Sequence, residues 1–428
     1  MKIITIRDVD KFANDIFPTP SKANKKKIES ILLDVKNNGD LAVKKYEKKF
    51  AGYKNGSLKV SKREIKNSYS KVSKDQITAI KIAKNRLSKT ELALKKRLGN
   101  FEVINDGVKI KKFFSPISSV GCYVPGGSAR YPSSLLMSVI PAKIAGVKRI
   151  VVTSPTNKQG SIDPLTLVTA DICGVDEFYK IGGAQAIGVL SFGTKTISPV
   201  DKIVGPGSPF VSIAKYLVSE KTSIDMIAGP TELGIIVDAS SKSDLIAADL
   251  ISQAEHSKDT FCFVLTTSKK AAESILFSIK QKIKNIKRKE IVQQSLENNG
   301  FVGICKSEND MIRLANKLAP EHLEIVTKNS NKLASKITTA GLTLLGENTP
   351  SSASDYLLGS NHILPTNGFG RVRGSLSIMD FLKLGTQLES SKPVLRKISK
   401  YLKELCNSEE LPNHYEAVRS RLKWTGLK

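Results

Sequence analysis

The stretch between Val120 and Gly183 decides the fold. It reads V-G-C-Y-V-P-G-G at 120–127, P-S-S-L-L-M-S-V-I-P-A-K-I-A-G-V at 132–147 and R-I-V-V-T-S-P at 149–155, then L-T-L-V-T-A-D-I-C-G-V at 165–175 and E-F-Y-K-I-G-G at 177–183. Short runs rich in β-branched residues alternate with longer runs whose apolar positions recur at helical spacing. Strand–helix–strand units of that kind build a parallel sheet covered on both faces. The pattern returns downstream in T-E-L-G-I-I-V-D (231–238), the helical D-L-I-A-A-D-L-I (244–251) and F-C-F-V-L-T-T (261–267), and again between G-F-V-G-I-C (300–305), H-L-E-I-V-T (322–327) and G-L-T-L-L-G (341–346). Two α/β layers in succession form a cleft where a cofactor and a small substrate can meet.

Outward from this centre the texture changes. Residues 22–98 read as amphipathic helices, 101–116 as a short alternating segment, and the last fifty residues as helical again. The expected architecture is α/β, with two Rossmann-like parallel-sheet domains that lack the usual glycine fingerprint, and small helical terminal segments. A length of 428 residues exceeds one typical domain and suffices for cores without staples. No apolar run is long enough to span a bilayer and no leader pattern is evident, so a cytoplasmic protein is expected. The five cysteines are scattered and form no C-x-x-C pair, which argues against a disulfide framework or a thiolate zinc cage. Cys122 is expected to be a buried structural thiol. A net charge of +27 would suit a polyanion partner, but the lysines interleave with apolar residues at helical spacing and aromatic residues are only 6%. They read as solvated helix faces, and nucleic acid is not expected as a partner.

Glycine clusters follow several expected strands: Y-V-P-G-G-S-A (123–129), I-G-G-A-Q-A-I-G (181–188), V-G-P-G-S-P-F (204–210) and A-G-P-T-E (228–232). None is G-x-G-x-x-G or a P-loop. Each alone is a tight turn, but together they favour a nucleotide or another large polar ligand, because glycine lets backbone amides approach an anion. The four histidines, His256, His322, His362 and His414, all lie in polar clusters near Glu255, Glu321, Asp355 and Glu409. Such donors suit zinc, or less specifically manganese, if they converge. Gln253 and His256, three apart, are expected on one helix face. Pro320 before Glu321 and His322 resembles a helix start that aims both groups into a cleft. The residues by themselves indicate a metal enzyme with a nucleotide cofactor and leave its reaction open.

Taken in order, Y-V-P-G-G-S-A-R-Y-P-S-S, G-G-A-Q-A-I, K-I-V-G-P-G-S, A-G-P-T-E, A-A-D-L-I-S-Q-A-E-H, A-P-E-H-L-E, G-S-N-H-I-L-P-T and E-E-L-P-N-H resemble the histidinol dehydrogenase family over nearly the whole chain. The resemblance implies oxidation of L-histidinol to L-histidine through L-histidinal, in two NAD-dependent steps with one zinc per active site. It places zinc ligands at Gln253, His256, Asp355 and His414, and the paired acid/base residues at Glu321 and His322. Substrate contacts fall on Thr231, Gln253, His256, His322, Asp355, His362, Glu409 and His414, and NAD contacts on Tyr123, Gln185 and Ser208. It further implies a homodimer whose swapped C-terminal arm brings Glu409 and His414 to the partner's site. The implied domains are an N-terminal helical segment (1–25), a first α/β domain (26–122 and 231–376) with most catalytic and zinc residues, a second (123–230) with the NAD contacts, and a helical arm (377–428).

The chain departs from the family's usual pattern at three places. Ser208 stands for the asparagine of G-P-G-N and offers a shorter hydroxyl to the cofactor. Thr231 replaces a serine and keeps the hydroxyl. The tail reads E-E-L-P-N-H, with Pro412 where a helix would continue. A zinc- and NAD-dependent dehydrogenase of another polar alcohol is the nearest rival, and retention of His362 and Glu409 favours histidinol.

Overall fold

The strand Glu232–Val237 is buried at every position and lies in a six-stranded sheet. In spatial order the sheet runs Lys2–Thr5, Phe301–Ile304, Phe261–Thr266, Glu232–Val237, His322–Val326 and Leu342–Leu345, with every pairing parallel. Its two faces follow the period of two: Phe261, Phe263 and Leu265 enter one core with Leu323 and Ile325, whereas Cys262 and Val264 enter the other with Leu233, Ile235 and Val326. Phe263 and Phe301 stack across neighbouring strands with ring centroids 5.5 Å apart. The computed structural model describes residues 1–16, 25–52, 57–126, 130–157 and 159–424. Gly127, Ser128 and Ala129 of the first glycine cluster, and the end of the tail after Trp424, lie outside them.

A second parallel sheet has five strands in the order Glu177–Tyr179, Arg149–Thr153, Ser119–Tyr123, Lys202–Val204 and Ser223–Ile224. Helix Pro132–Ala145 is apolar on nearly every side because it is buried, and it closes on Gly146 in the left-handed conformation, which glycine adopts without steric cost. Helix Lys25–Ala51 places Ile28, Leu32, Val35 and Val43 against Ile187 and Leu190 of helix Gly183–Phe192. Each fully buried aliphatic side chain of this kind contributes about 1.5–3 kcal/mol through removal from water. Both parallel sheets belong to one compact unit, residues 1–93 and 117–381.

The second compact unit comprises residues 94–116 and 382–428. Strands Phe101–Asn105 and Val108–Pro116 form a hairpin about Asp106 and Gly107, both at positive φ, the pairing expected of an Asp-Gly turn. Strand Leu382–Glu389 pairs antiparallel with Val108–Pro116, and helices Lys392–Ser408 and Pro412–Lys423 complete the unit.

Three expectations are corrected here. The N-terminal segment is not simply helical: Lys2–Thr5 is an edge strand paired with Phe301–Ile304, ahead of helix Val9–Asp15. The C-terminal segment likewise opens with the strand Leu382–Glu389, where leucines alternate with polar residues over a span that the helical reading had absorbed. Pro320 does not start a helix. Helix Glu308–Leu318 ends on Ala319 at φ +45°, and the chain enters the strand His322–Val326. The strand falls within the run H-L-E-I-V-T that the α/β pattern had marked, and its polar members, His322 and Glu324, are themselves buried.

Candidate active site

In each parallel sheet the chain order reverses between two central neighbours. In the six-stranded sheet the reversal falls between Glu232–Val237 and His322–Val326, and in the five-stranded sheet between Ser119–Tyr123 and Lys202–Val204. The carboxyl ends of the second pair form the crevice in which doubly wound sheets take a ligand. At the first pair the polar residues gather instead at the amino ends. The loop Ser360–Ile363 joins these two regions, because Asn361 Nδ2 donates to the Met137 carbonyl at 2.8 Å and His362 Nε2 lies 3.3 Å from Ser134 Oγ.

At the amino ends, Glu232 and Glu321 exchange hydrogen bonds across adjacent strands. The Glu232 amide donates to Glu321 Oε2 at 2.8 Å, and the Glu321 amide donates to Glu232 Oε2 at 3.1 Å. Glu321 Oε2 also accepts from Thr231 Oγ1, whose oxygen in turn accepts from Gln253 Nε2 at 2.7 Å. Burial pushes the Glu321 carboxyl above its usual range and raises Glu232 to about 8. A buried glutamate held in this way takes up a proton more readily than a free carboxylate, which suits proton transfer.

His322 is the next residue and is 2% exposed. Its Nε2 lies 3.2 Å from Asp355 Oδ1, and its Nδ1 lies 3.8 Å from Glu321 Oε2 with no hydrogen-bond partner. Burial disfavours the imidazolium, but the Asp355 hydrogen bond and the charges of Glu321 and Asp355 outweigh it and raise the pKa to about 9. Burial likewise works against the Asp355 carboxylate, yet the bond to His322 and the charges of the surrounding histidines hold it below its ordinary value. His362 Nδ1 meets the Asp355 carbonyl at 2.6 Å. A carbonyl can only accept, so Nδ1 carries the proton and Nε2 is left to accept from Ser134. Burial lowers this histidine's pKa.

Gln253 and His256 are not on one helix. Helix Ser243–Ala254 carries Gln253 in its last turn, and His256 follows the end, its amide donating to the Gln253 carbonyl at 3.2 Å. His256 is exposed at one side, and partial desolvation by its walls lowers its pKa, so the neutral form available to a metal is favoured. Among the described residues no three His, Cys, Asp or Glu side chains form a metal-binding group by themselves. The donor chemistry nevertheless fits zinc. Binding Thr231 through its nitrogen leaves Gln253 its amide oxygen, binding His322 through Oδ1 leaves Asp355 its Oδ2, and His256 adds a neutral nitrogen. Glu409 closes helix Lys392–Ser408 and His414 lies in the first turn of Pro412–Lys423, both exposed in the second unit. Pro412 is the first residue of that helix, a position where its missing N–H costs nothing.

At the carboxyl ends of the five-stranded sheet, Tyr123 ends its strand and its hydroxyl accepts from the Gly183 amide at 3.1 Å. Gln185 Nε2 and the Gly182 amide both donate to Glu47 Oε1, at 2.7 and 3.0 Å. Ser208 precedes helix Pro209–Val218, is exposed and makes no side-chain cap bond, while Pro209 has no N–H and the amides of Val211 and Ser212 donate to the Ser208 carbonyl at 2.8 and 3.0 Å. A crevice at the switch point, a helix start and a free hydroxyl fit a dinucleotide. Glu47 escaped the sequence reading, since it lies in no glycine or histidine cluster, and Glu324 was passed over although it ends A-P-E-H-L-E. Glu232 stood in plain view at the end of A-G-P-T-E. All five cysteines are free and buried, and burial raises the Cys122 thiol as expected of a structural residue.

The sequence profile of histidinol dehydrogenase matches residues 18–422. The chain is 41% identical over 427 residues to a histidinol dehydrogenase of Methanocaldococcus jannaschii, covering 99% of each. It is 42% identical over 400 residues to that of Clostridium acetobutylicum, covering 93% of this chain and 92% of the other. The crystal structure of histidinol dehydrogenase from Elizabethkingia anophelis superposes with a TM-score of 0.94 at 34% identity, covering 99% and 98% of the two chains. A buried glutamate–histidine pair on such a scaffold, together with these likenesses, makes this chain a member of the histidinol dehydrogenase family.

Proposed function

We propose that the protein oxidises L-histidinol to L-histidine through L-histidinal, with two NAD as hydride acceptors. The observation that carries this reading is the buried pair Glu321–His322, with Asp355 on the far nitrogen of the histidine. Gln253, His256 and Asp355, with His414 from a partner chain, would hold a zinc ion, which polarises and orients the substrate's amino and imidazole groups. Tyr123, Gln185 and Ser208 would contact NAD. In its neutral form, which predominates above the raised value of about 9, His322 accepts the proton of the substrate hydroxyl in the first oxidation, so this step should quicken toward alkaline pH. Asp355 and Glu321 stabilise the resulting imidazolium from its two sides. Glu321 draws a proton from the water that attacks the aldehyde in the second oxidation, while Thr231 and the Glu232 amide keep its carboxylate aimed. Thr231, His362 and Glu409 orient the substrate, with Glu409 at its imidazole end.

The active species in this reading is a homodimer in which the C-terminal arm completes the partner's site. No helix among the described residues is long and apolar enough to cross a membrane. Purified protein supplied with zinc, NAD and L-histidinol should yield two NADH per histidinol, and the H322A variant should lose turnover. Activity with a different polar alcohol and none with histidinol would overturn the substrate assignment.

A further inference from the structure

Among the largest fully buried side chains of the described residues is a lysine, Lys215, on helix Pro209–Val218. Its Nζ pairs with Asp225 Oδ1, and the two side chains are 2% and 0% exposed. None of the glycine or histidine motifs contains either residue. A buried ion pair is a poor source of net stability, because desolvation of both charges offsets their attraction. What the pair touches is therefore informative.

Gly205 follows strand Lys202–Val204 at φ +112°, and a Cβ there would come within 2.1 Å of the Tyr123 carbonyl oxygen. The turn thus lies directly against the end of the neighbouring strand, at the reversal of chain order where the dinucleotide is placed above. The ion pair grips both sides of this one residue. Asp225 Oδ2 accepts from the Gly205 amide at 2.8 Å, and Lys215 Nζ donates to the Gly205 carbonyl at 3.0 Å. Asp225 Oδ1 also accepts from the Met226 amide at 2.6 Å, and the Asp225 amide donates to the Ile203 carbonyl at 3.1 Å. Because Lys215 belongs to the helix that Ser208 begins, the turn Gly205–Ser208 is closed into a ring: strand end, turn, two turns of helix, and back through Nζ to Gly205. The offset between strand end and helix start is set by a charge pair rather than by the turn's own sequence.

We propose that Lys215 and Asp225 are positioning residues for the dinucleotide, their buried ion pair holding both peptide groups of Gly205 so that Tyr123 and Ser208 face one crevice. This rests on the placement of NAD given under the proposed function. Neither residue touches the cofactor, and neither should affect zinc or histidinol.

The test compares the full-length parent with K215M, D225N, the charge-balanced K215M/D225N and the conservative K215R. NAD affinity is read by calorimetric titration, with histidinol affinity, zinc content and thermal midpoint measured alongside. K215M strands a buried carboxylate and should have the lowest midpoint, and the balanced variant should recover part of the loss. Despite that recovery, the balanced variant should bind NAD about tenfold more weakly, the order expected when one or two ordering hydrogen bonds are lost. Its zinc content and histidinol affinity should match the parent, its KM for NAD should rise, and its kcat at saturating NAD should be preserved. K215R, which can still reach both Asp225 and the Gly205 carbonyl, should restore NAD binding.

Unchanged NAD affinity in the balanced variant, or equal loss of NAD and histidinol binding, would overturn the proposal in favour of a structural role. If that variant does not fold, D225N is titrated in its place and judged by the same two outcomes. Q185A serves as the control for the cofactor's placement. If Q185A weakens NAD binding and the balanced variant does not, the clamp alone is wrong. If neither weakens it, the placement of NAD is wrong and the clamp proposal falls with it.

Discussion

His322 Nε2 lies 3.2 Å from Asp355 Oδ1, and this contact ties the first residue of an interior strand to the end of the short helix Ser351–Ser354. The histidine thereby has one nitrogen toward a carboxylate and the other without a partner beside Glu321. Substitution of His322 by asparagine keeps a polar group and removes the base. Turnover with histidinol should fall by roughly 10²–10⁴-fold, the usual weight of a positioned general base, while NAD affinity stays unchanged. A variant with more than about a tenth of parental kcat would remove His322 from the proton-transfer role.

Asp355 serves two neighbours, with Oδ1 on His322 and Oδ2 available to a metal. D355N should therefore bind zinc more weakly by more than the roughly 10–100-fold that follows loss of an outer-shell partner. Equilibrium dialysis against a buffered zinc series, followed by metal analysis, measures this directly. Parental zinc affinity in D355N would eliminate the residue as a ligand.

Two turns of chemistry lie behind the site. Glu324, two residues beyond His322 on the same strand face, accepts from the Ser351 amide at 2.7 Å, and it feels the charge of Asp249, one helical turn before Gln253. Burial first, and then the Asp249 charge, raise the Glu324 carboxyl well above its ordinary value. The folded state consequently binds a proton that the unfolded chain releases near the ordinary carboxylate range. Stability contributed by this group is full at acid pH and declines as pH rises through the raised value, because the unfolded state binds fewer protons. Urea midpoints of metal-stripped protein at about pH 5 and about pH 8.5 should show that decline in the parent and a flatter response in E324Q. An identical pH response in both proteins would mean that Glu324 does not carry the extra proton.

Gly205 is a backbone position with no room for a side chain. G205A combines a disfavoured positive φ with collision against a main-chain oxygen, and should cost at least about 2–3 kcal/mol. Gly160, at φ +76° with open space around its Cβ, supplies the contrast, and G160A should cost only about 1–2 kcal/mol from the backbone conformation. Chemical denaturation of the two variants gives the comparison. Equal losses would show that the approach to Tyr123 is not tight in solution.

Much of the architecture was legible in local patterns. Both parallel sheets were visible as β-branched runs separated by helical ones, since the periods of two and 3.6 are properties of short segments. The strands Lys2–Thr5 and Leu382–Glu389 were missed because each is short or mostly exposed and borders helices, so no buried alternation marked it. Glu321 and His322 were recognised as a pair, and H-L-E-I-V-T stood among the α/β runs, but Pro320 was read as a helix start. A proline ahead of two polar residues looks like a helix start when the burial of those residues cannot be seen.

What the sequence determined by itself was therefore the α/β class, the blocks that identify the family, and the identities of the histidines and carboxylates available for chemistry. Only the tertiary structure decided which ends of which strands carry them. The exchange between Glu232 and Glu321 spans 89 residues, the bond from Glu47 to Gln185 spans 138, and His322 meets Asp355 from 33 residues away. Local periodicity reports which face a residue takes within its own element. Contacts such as these arise from the order in which strands are laid side by side, and that order follows from the packing of whole helices against whole sheets.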